Sequence, residues 1–564
     1  MKQALILLLL GSCALLLSSV GSTPEQIQFH DVTEKAGVRS LAISGGMQKN
    51  YVLEVNGSGA CWFDYNNDGY PDLYLVNGST LEALQRKKPR SVTNHLYRNN
   101  RNGTFTDVTD AAHVSGAEWG FGCVAADYDN DGKTDLLVTN FGPNILYHNN
   151  GDSTFTDVAA HAGIGGGNIW HAGAAFGDYD NDGYVDLYIA GYLDFNTKNP
   201  ELKTCDYRGV KVHACGPLGY RGAPDALYHN NRDGTFTEVT EKAHVTDRNL
   251  YFGFTVIFDD FDDDGLPDIF VANDSNPNYF YRNKGDGTFE EVGVSSGVAY
   301  NSDGKEMSSM GVAAGDYDND GRTDLYVTTF ANDNYVLYHN DGKGTFSDLS
   351  FQSGIGERTI PYLGWATFFL DYDNDGWKDL FNANGHVYPE MGERSKESYR
   401  EPLQLFHNLK NGKFTEVSEA VGLRALSMKS ARGGAYCDYD NDGDVDILVS
   451  NIDDMPQLLE NVGGNTSHWL ELKLVGTISN RDAIGAKVKL SASDLVQYDS
   501  VRAGGSYISG NDLRLHFGLA DHATADSLEI NWPSGKKDHL TNLKSNQILT
   551  IQEGKQTGLT GPRP

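Results

Sequence analysis

The stretch DYDNDGYVD, Asp178–Asp186, sets a pattern that the chain writes six more times. The other copies are DYNNDGYPD (Asp64–Asp72), DYDNDGKTD (Asp127–Asp135), DFDDDGLPD (Asp260–Asp268), DYDNDGRTD (Asp316–Asp324), DYDNDGWKD (Asp371–Asp379) and DYDNDGDVD (Asp438–Asp446). Side-chain oxygens at positions 1, 3, 5 and 9, with a glycine at 6 for the sharp bend, make a cage for a hard cation. The pattern predicts about seven Ca2+ sites. Their side-chain ligands are Asp64, Asn66, Asp68 and Asp72; Asp127, Asp129, Asp131 and Asp135; Asp178, Asp180, Asp182 and Asp186; Asp260, Asp262, Asp264 and Asp268; Asp316, Asp318, Asp320 and Asp324; Asp371, Asp373, Asp375 and Asp379; and Asp438, Asp440, Asp442 and Asp446. The position-7 carbonyl joins each set, and the first site is expected to be weakest because Asn66 carries no charge.

These loops are not EF-hands, which need a glutamate at position 12 and flanking helices. Position 12 is Leu75, Val138, Ile189, Val271, Val327, Asn382 or Val449. The flanks, such as GAAFG (Gly173–Gly177) and LYIAG (Leu187–Gly191), are short, apolar and bounded by glycine, so they read as strands. Position 2 is always aromatic, and alternation turns it away from the cage and between neighbouring sheets.

A second phrase follows each of the first six loops, as in LYHNNRDGTFTEVT (Leu227–Thr240) or LYHNDGKGTFSDL (Leu337–Leu349). It reads as a hairpin with an Asn/Gly turn. Loop hairpin plus second hairpin gives four strands, one blade of a propeller. Only six second hairpins are complete, and the missing half, FHDVTEKAGV (Phe29–Val38), precedes the first loop. The expected fold is therefore all-β: a closed seven-bladed β-propeller over residues 25–463, whose last blade is completed by the N-terminal strand.

Residues 465–553 break the repeat. They contain HWLELKLVGTISNRDAIGAKVKL (His468–Leu490), VRAGGSYISG (Val501–Gly510), LRLHFGL (Leu513–Leu519) and LEINWPSG (Leu528–Gly535). Short alternating strands separated by Gly, Asn and Pro turns predict a small β-sandwich. The repeats resemble the integrin-type FG-GAP or VCBS family, and the tail is similar to the ASPIC/UnbV domain. The combination resembles the cartilage acidic protein family, which implies calcium binding and an extracellular setting. The Asn480-Arg481-Asp482 stretch reads either as a ligand site or as a charged turn.

Residues 1–22 read as a signal peptide, with Lys2, an apolar run from Ala4 to Leu17 and small residues at Ser19-Val20-Gly21. Leu10-Gly11-Ser12-Cys13 also resembles a lipobox, leaving a lipid anchor at Cys13 as the alternative to cleavage. Nothing else reads as a transmembrane segment, so the protein is expected to be exported: secreted, periplasmic or at the cell surface. Residues 554–564 read as a flexible tail. In the insertion Tyr192–Asp225, Cys205 and Cys215 suit a disulfide, with free thiols or a metal pair with His213 as alternatives. Cys61, Cys123 and Cys437 read as core residues.

A net charge of −32, from 77 acids against 45 bases, disfavours nucleic acid as a partner. No nucleophile elbow, P-loop, zinc-protease or dinucleotide motif occurs. The reading leans away from an enzyme and towards a module that binds an extracellular protein or glycan, or serves adhesion. The alternative is an exported lyase, hydrolase or natural-product-tailoring enzyme with its site at the central channel. His171, Met310, Arg432, Trp119, Trp170 and Trp365 are candidates to line the channel mouth, and His386 in a second insertion to join a pocket; buried packing is the competing reading for each.

Overall fold

The computed structural model describes residues 27–555 except 91, 117 and 393–396, together with the backbone of 559–560. The expected signal peptide and Cys13 lie outside the described residues. Among these, no helix is long and apolar enough to cross a membrane.

The fold is all-β. Seven four-stranded antiparallel sheets, here numbered one to seven in the order of their loops, succeed one another along the chain. In sheet one, Ala60–Phe63 and Asp72–Leu75 are joined by the first acidic loop, and His95–Asn99 and Phe105–Asp107 follow. Position 9 opens the second strand in every copy, so each loop is the turn of the inner hairpin. Sheet seven contains Ala431–Cys437, Asp446–Asn451 and Gln457–Val462, and takes its fourth strand from the N-terminus: Gln28–Asp31 runs antiparallel to Gln457–Val462, with Gln28 opposite Val462 and Asp31 opposite Leu459. The first strand of each sheet packs on that of the next, and Ala431–Cys437 of the last packs on Ala60–Phe63 of the first.

The position-2 aromatics cement these junctions. Each ring packs on the phenylalanine of the outer strand of the following sheet: Tyr65 on Phe155 at 6.0 Å, Tyr179 on Phe289 at 5.6 Å and Tyr439 on Phe105 at 5.7 Å. At sheet seven the N-terminal strand supplies that phenylalanine, and Tyr372 meets Phe29 at 6.4 Å.

The C-terminal part is a pair of four-stranded sheets. One is ordered Leu515–Ala520, His468–Val475, Gln547–Gln552, Leu559–Thr560; the other Leu495–Ser500, Lys487–Ala492, Thr524–Asn531, Lys537–Lys544. Leu472, Leu490, Phe517, Leu528 and Ile551 fill the space between them, in a core continuous with sheets two and three. Within the tail 554–564, the backbone of Leu559–Thr560 lies antiparallel to Leu549 and Thr550. Cys205 and Cys215 form a disulfide; Cys61, Cys123 and Cys437 are buried thiols.

The centre of the assembly corrects one expectation. The space among the first strands is filled by the chain itself. The segment between Ser500 and Leu515 enters it, bridging Ala503 to Phe176, Ser506 to Val312 and Gly510 to Cys61. Gly504 and Gly505 (φ 129° and 100°) allow this close approach; a Cβ on Gly504 would sit 2.7 Å from the Ala175 Cβ. Tyr507 is fully buried, 4.6 Å from the Trp365 ring, and its hydroxyl donates to the Asn56 carbonyl at 3.2 Å. Trp119, Trp170, Trp365, His171, Met310 and Arg432 are all no more than 2% exposed. His386 is likewise buried. The candidate channel residues are thus packing: Trp365 meets Tyr507, Arg432 lies over Trp365, Trp119 meets Phe121, Trp170 meets Tyr192 and Phe195, and His171 meets Asn144.

Candidate functional site

Each acidic loop is held by its own backbone. In the third, Asp178 Oδ1 accepts from the Asp182 N–H at 2.9 Å and Oδ2 from Gly183 at 3.0 Å, while Asp182 Oδ1 accepts from Tyr184. Position 4 is left-handed throughout, φ 55° to 61°, which suits the Asn or Asp found there. Position 9 is completely buried: Asp186 Oδ1 accepts from the Asn230 N–H at 2.9 Å and Oδ2 from Tyr179 at 3.1 Å.

Two sets of asparagines that the sequence reading did not assign link these loops. One is the asparagine of the phrase LYHN and its variants. In every sheet its side-chain amide donates to the position-2 carbonyl of the preceding loop, as from Asn230 to Tyr128 at 2.8 Å and from Asn461 to Tyr372 at 2.8 Å. The other is position 4, whose amide donates to the position-6 carbonyl of the next loop, as from Asn67 to Gly132 and from Asn441 to Gly69. Only the fourth loop lacks this donor, because Asp263 stands there. The signal was in the sequence, as an asparagine present in all seven copies of the third strand.

Imidazoles were also missed. His148, His229, His339 and His407, from the same third strands, place Nδ1 3.1–3.5 Å from the carboxylates at positions 3 and 9 of their loops. The corresponding residues in sheets one, four and seven are Arg98, Arg282 and Glu460.

The cages are acidic and desolvated. Burial pushes Asp135 and Asp186 up to about 7, Asp324 to about 6, and Asp72, Asp127, Asp178 and Asp316 to about 8, with neighbouring loop carboxylates adding to the rise. Six buried loop oxygens, Asp135 Oδ2 and Oδ1 of Asp262, Asp318, Asp373, Asp440 and Asp444, have no hydrogen-bond partner. Carboxylates at positions 1, 3 and 9 of the second loop converge within 4.8 Å, as do Asp129, Asp131 and His148. A divalent cation would supply the partner those oxygens lack and offset the repulsion, so the donor set fits one.

An FG-GAP-like repeat model matches residues 64–138, 127–189, 260–327 and 316–382, and an ASPIC and UnbV model matches 476–558. The chain carries FG-GAP-like repeats and an ASPIC and UnbV domain. Cartilage acidic protein 1 of Xenopus tropicalis is 30% identical over 277 residues, covering 48% of this chain and 40% of the relative; that of Homo sapiens is 29% identical over 294 residues, covering 50% and 42%. The match thus spans about two fifths of the relatives' own length. Among solved structures, the chain is similar to a lectin from Burkholderia pseudomallei (9% identity, TM-score 0.41, 72% of this chain and 95% of that one) and to a rhamnogalacturonan lyase (12%, 0.37, 76% and 75%).

The ASPIC and UnbV domain lies on the face that carries the acidic loops. Arg481 N–H donates to Asn130 Oδ1 at 2.7 Å and Asp482 Oδ2 accepts from the Asp127 N–H at 2.6 Å, at the second loop. His516 meets Asn374 at the sixth, and Arg514 donates to the Asp438 carbonyl and Asn441 at the seventh. The Asn480-Arg481-Asp482 stretch is therefore a docking turn. It is pinned by Glu553, whose Oε2 accepts from the N–H groups of Thr477, Ile478 and Ser479.

Proposed function

We propose that this chain is a calcium-stabilised, closed seven-bladed β-propeller, integrin-α-like in its repeats, which acts outside the cell as a protein- or glycan-binding or adhesion module. The observation that carries the reading is the set of buried loop oxygens without a hydrogen-bond partner, repeated around one face. Calcium suits all-oxygen, flexible, partly backbone-held cages better than magnesium does. The junction of the last sheet to the first, and the N-terminal strand in sheet seven, support closure. The Cys205–Cys215 disulfide suits an oxidising, calcium-rich space reached by export.

The loop face is occupied by the C-terminal domain and the channel by its inserted segment. That directs an external ligand to the opposite face, where the two insertions meet: Tyr207 packs on Tyr388 at 5.4 Å and the His213 N–H donates to Glu390. The calcium part is tested by metal analysis after dialysis against millimolar calcium, with about seven equivalents expected; two or fewer would refute it. The binding part is tested by glycan-array and secreted-proteome capture with and without calcium, where a protein that retains no partner in either condition would sink it.

A further inference from the structure

We infer that the first and fourth loops form a separate, exchangeable class of cation sites, each shared with a lysine of the C-terminal domain: Lys473 for the first and Lys487 for the fourth. This rests on the calcium reading above and assigns residues within it.

Lys487 Nζ lies 3.0 Å from Asp260 Oδ2, the position-1 carboxylate of the fourth loop, 2.5 Å from Asp263 Oδ1 and 3.0 Å from the Asp260 carbonyl. Lys473 Nζ lies 3.8 Å from Asp64 Oδ2, position 1 of the first loop. Among the described residues no ion pair reaches the position-1 carboxylates of the other five loops, Asp127, Asp178, Asp316, Asp371 and Asp438. Cations that reach position 5, namely Arg101, Lys133, Arg232, Arg322 and Lys410, occur in both groups and do not separate them.

Two independent features fall on the same pair of loops. First, the histidine beside positions 3 and 9 is Arg98 in sheet one and Arg282 in sheet four, so a permanent positive charge stands on that strand position. Sheet seven carries Glu460 instead, which adds a carboxylate. Second, the C-terminal domain leaves the position-6 glycines of these two loops clear. A Cβ on Gly69 or Gly265 would meet nothing within 4 Å, whereas Gly183 lies under Ile478, Gly376 under Leu495 and Gly443 under Trp469. The openings are clefts between the two domains, about 950 Å³ beside the first loop, where Asn441 and Asp442 of the seventh also line it, and about 370 Å³ beside the fourth, where Asp178 and Asn181 of the third do.

An ammonium and a divalent cation compete for one carboxylate, because both seek its negative charge and they repel each other at short range. A tethered lysine competes at a high effective concentration, independent of the calcium outside. The first loop has only three carboxylates with which to resist, since Asn66 is neutral. The clefts give both loops an aqueous path for exchange, and at these two loops the position-6 glycine also stands clear of other atoms. A cation arriving at the first or fourth loop turns its lysine into the adjoining cleft, so those two sites alone report calcium concentration to the interdomain surface.

The test uses the full chain, loaded with calcium and then desalted into calcium-free buffer, with bound metal counted. Wild type is expected to keep about five equivalents, the Lys473→Met and Lys487→Met single variants about six each and the double variant about seven, whereas the double Lys→Arg variant stays at about five. In wild type, radiolabelled calcium should exchange in two phases, with the two fast sites about two- to fivefold weaker, the worth of one ion pair. This wild-type measurement stands even where a variant fails to fold. Retention of seven by wild type, exchange in a single phase, or five in a folded Lys→Met double variant overturns the inference and leaves the calcium reading intact. Two or fewer in every sample overturns both.

Discussion

Asn99 Nδ2 donates a 2.7 Å hydrogen bond to the carbonyl of Tyr439, 340 residues away, and so joins the first sheet to the loop of the last. The same amide also donates to the Pro71 carbonyl, and its oxygen accepts from the Arg101 N–H. Six equivalent asparagines make the same link between consecutive sheets. At Asn99 the link is made between sheets that lie at opposite ends of the repeat region.

Replacing Asn99 with Ala leaves the Tyr439 and Pro71 carbonyls unpaired in a buried site, and the expected loss is about 2–3 kcal/mol of stability. Asn100→Ala, at the neighbouring turn position, should cost less than about 1 kcal/mol because its amide group meets only the hydroxyls of Thr104 and Thr106 at the solvated turn. Urea unfolding of both variants decides this. Equal midpoints would mean that the seam bond contributes nothing of its own.

The N-terminal strand is expected to be as necessary as any later one. Phe29 is 2% exposed and sits on Tyr372, so Phe29→Ala should destabilise by about 3–4 kcal/mol. Deleting residues up to 38 should leave Gln457–Val462 with an unpaired edge and make the protein aggregate. A truncated chain that elutes as a monomer with an unchanged melt would show that sheet seven does not need it.

Calcium and pH should act together. In calcium-depleted protein, position-9 carboxylates such as Asp135, Asp186 and Asp324 have folded pKa values raised to about 6–7, above the unfolded value near 4. A raised acid contributes stability at low pH and loses it as pH rises through the folded pKa, so the depleted protein should melt lower at pH 8 than at pH 5. Calcium needs the deprotonated form, so its stabilising increment should grow over the same interval. Magnesium should rescue poorly. Thermal melts with calcium, magnesium or chelator at both pH values would contradict this if chelator changed nothing.

Loop position should matter as well as loop chemistry. Asp438→Ala with Asp442→Ala disturbs the loop that receives the Asn99 bond through Tyr439 and is held by Arg514. Asp178→Ala with Asp182→Ala disturbs the third loop, which lies within the run of sheets. The seventh-loop pair should lower the melting temperature more. Indistinguishable melts would remove the closure argument while leaving the cages in place.

Glu553 should control docking of the C-terminal domain. Burial raises its pKa, but the hydroxyl of Ser534 and three backbone N–H groups outweigh that and hold the carboxyl at about 2. A depressed acid gives stability that is present above the unfolded value near 4.3 and lost as pH falls towards 2. Glu553→Gln should cost about 2 kcal/mol and make the Ser479–Asp482 turn cleavable by protease, an effect absent from wild type above pH 5. Protection of that turn in the variant would count against the role.

The sequence by itself determined the repeating acidic cages, the strands around them, the aromatic that packs between sheets and the N-terminal strand that completes the last one. These follow from local periodicity: alternation sets which way each side chain points, and a nine-residue loop shows its donors within one window. Cys205 and Cys215 were legible for the same reason, being close in a Gly/Pro-rich excursion. Only the tertiary structure decided that the C-terminal domain docks on the loop face, that Tyr507 is buried against Trp365 and Phe254, and that Lys473 and Lys487 reach Asp64 and Asp260. Those contacts join residues hundreds of positions apart. Their partners are chosen by how the two domains meet, and no local pattern in either segment carries that information.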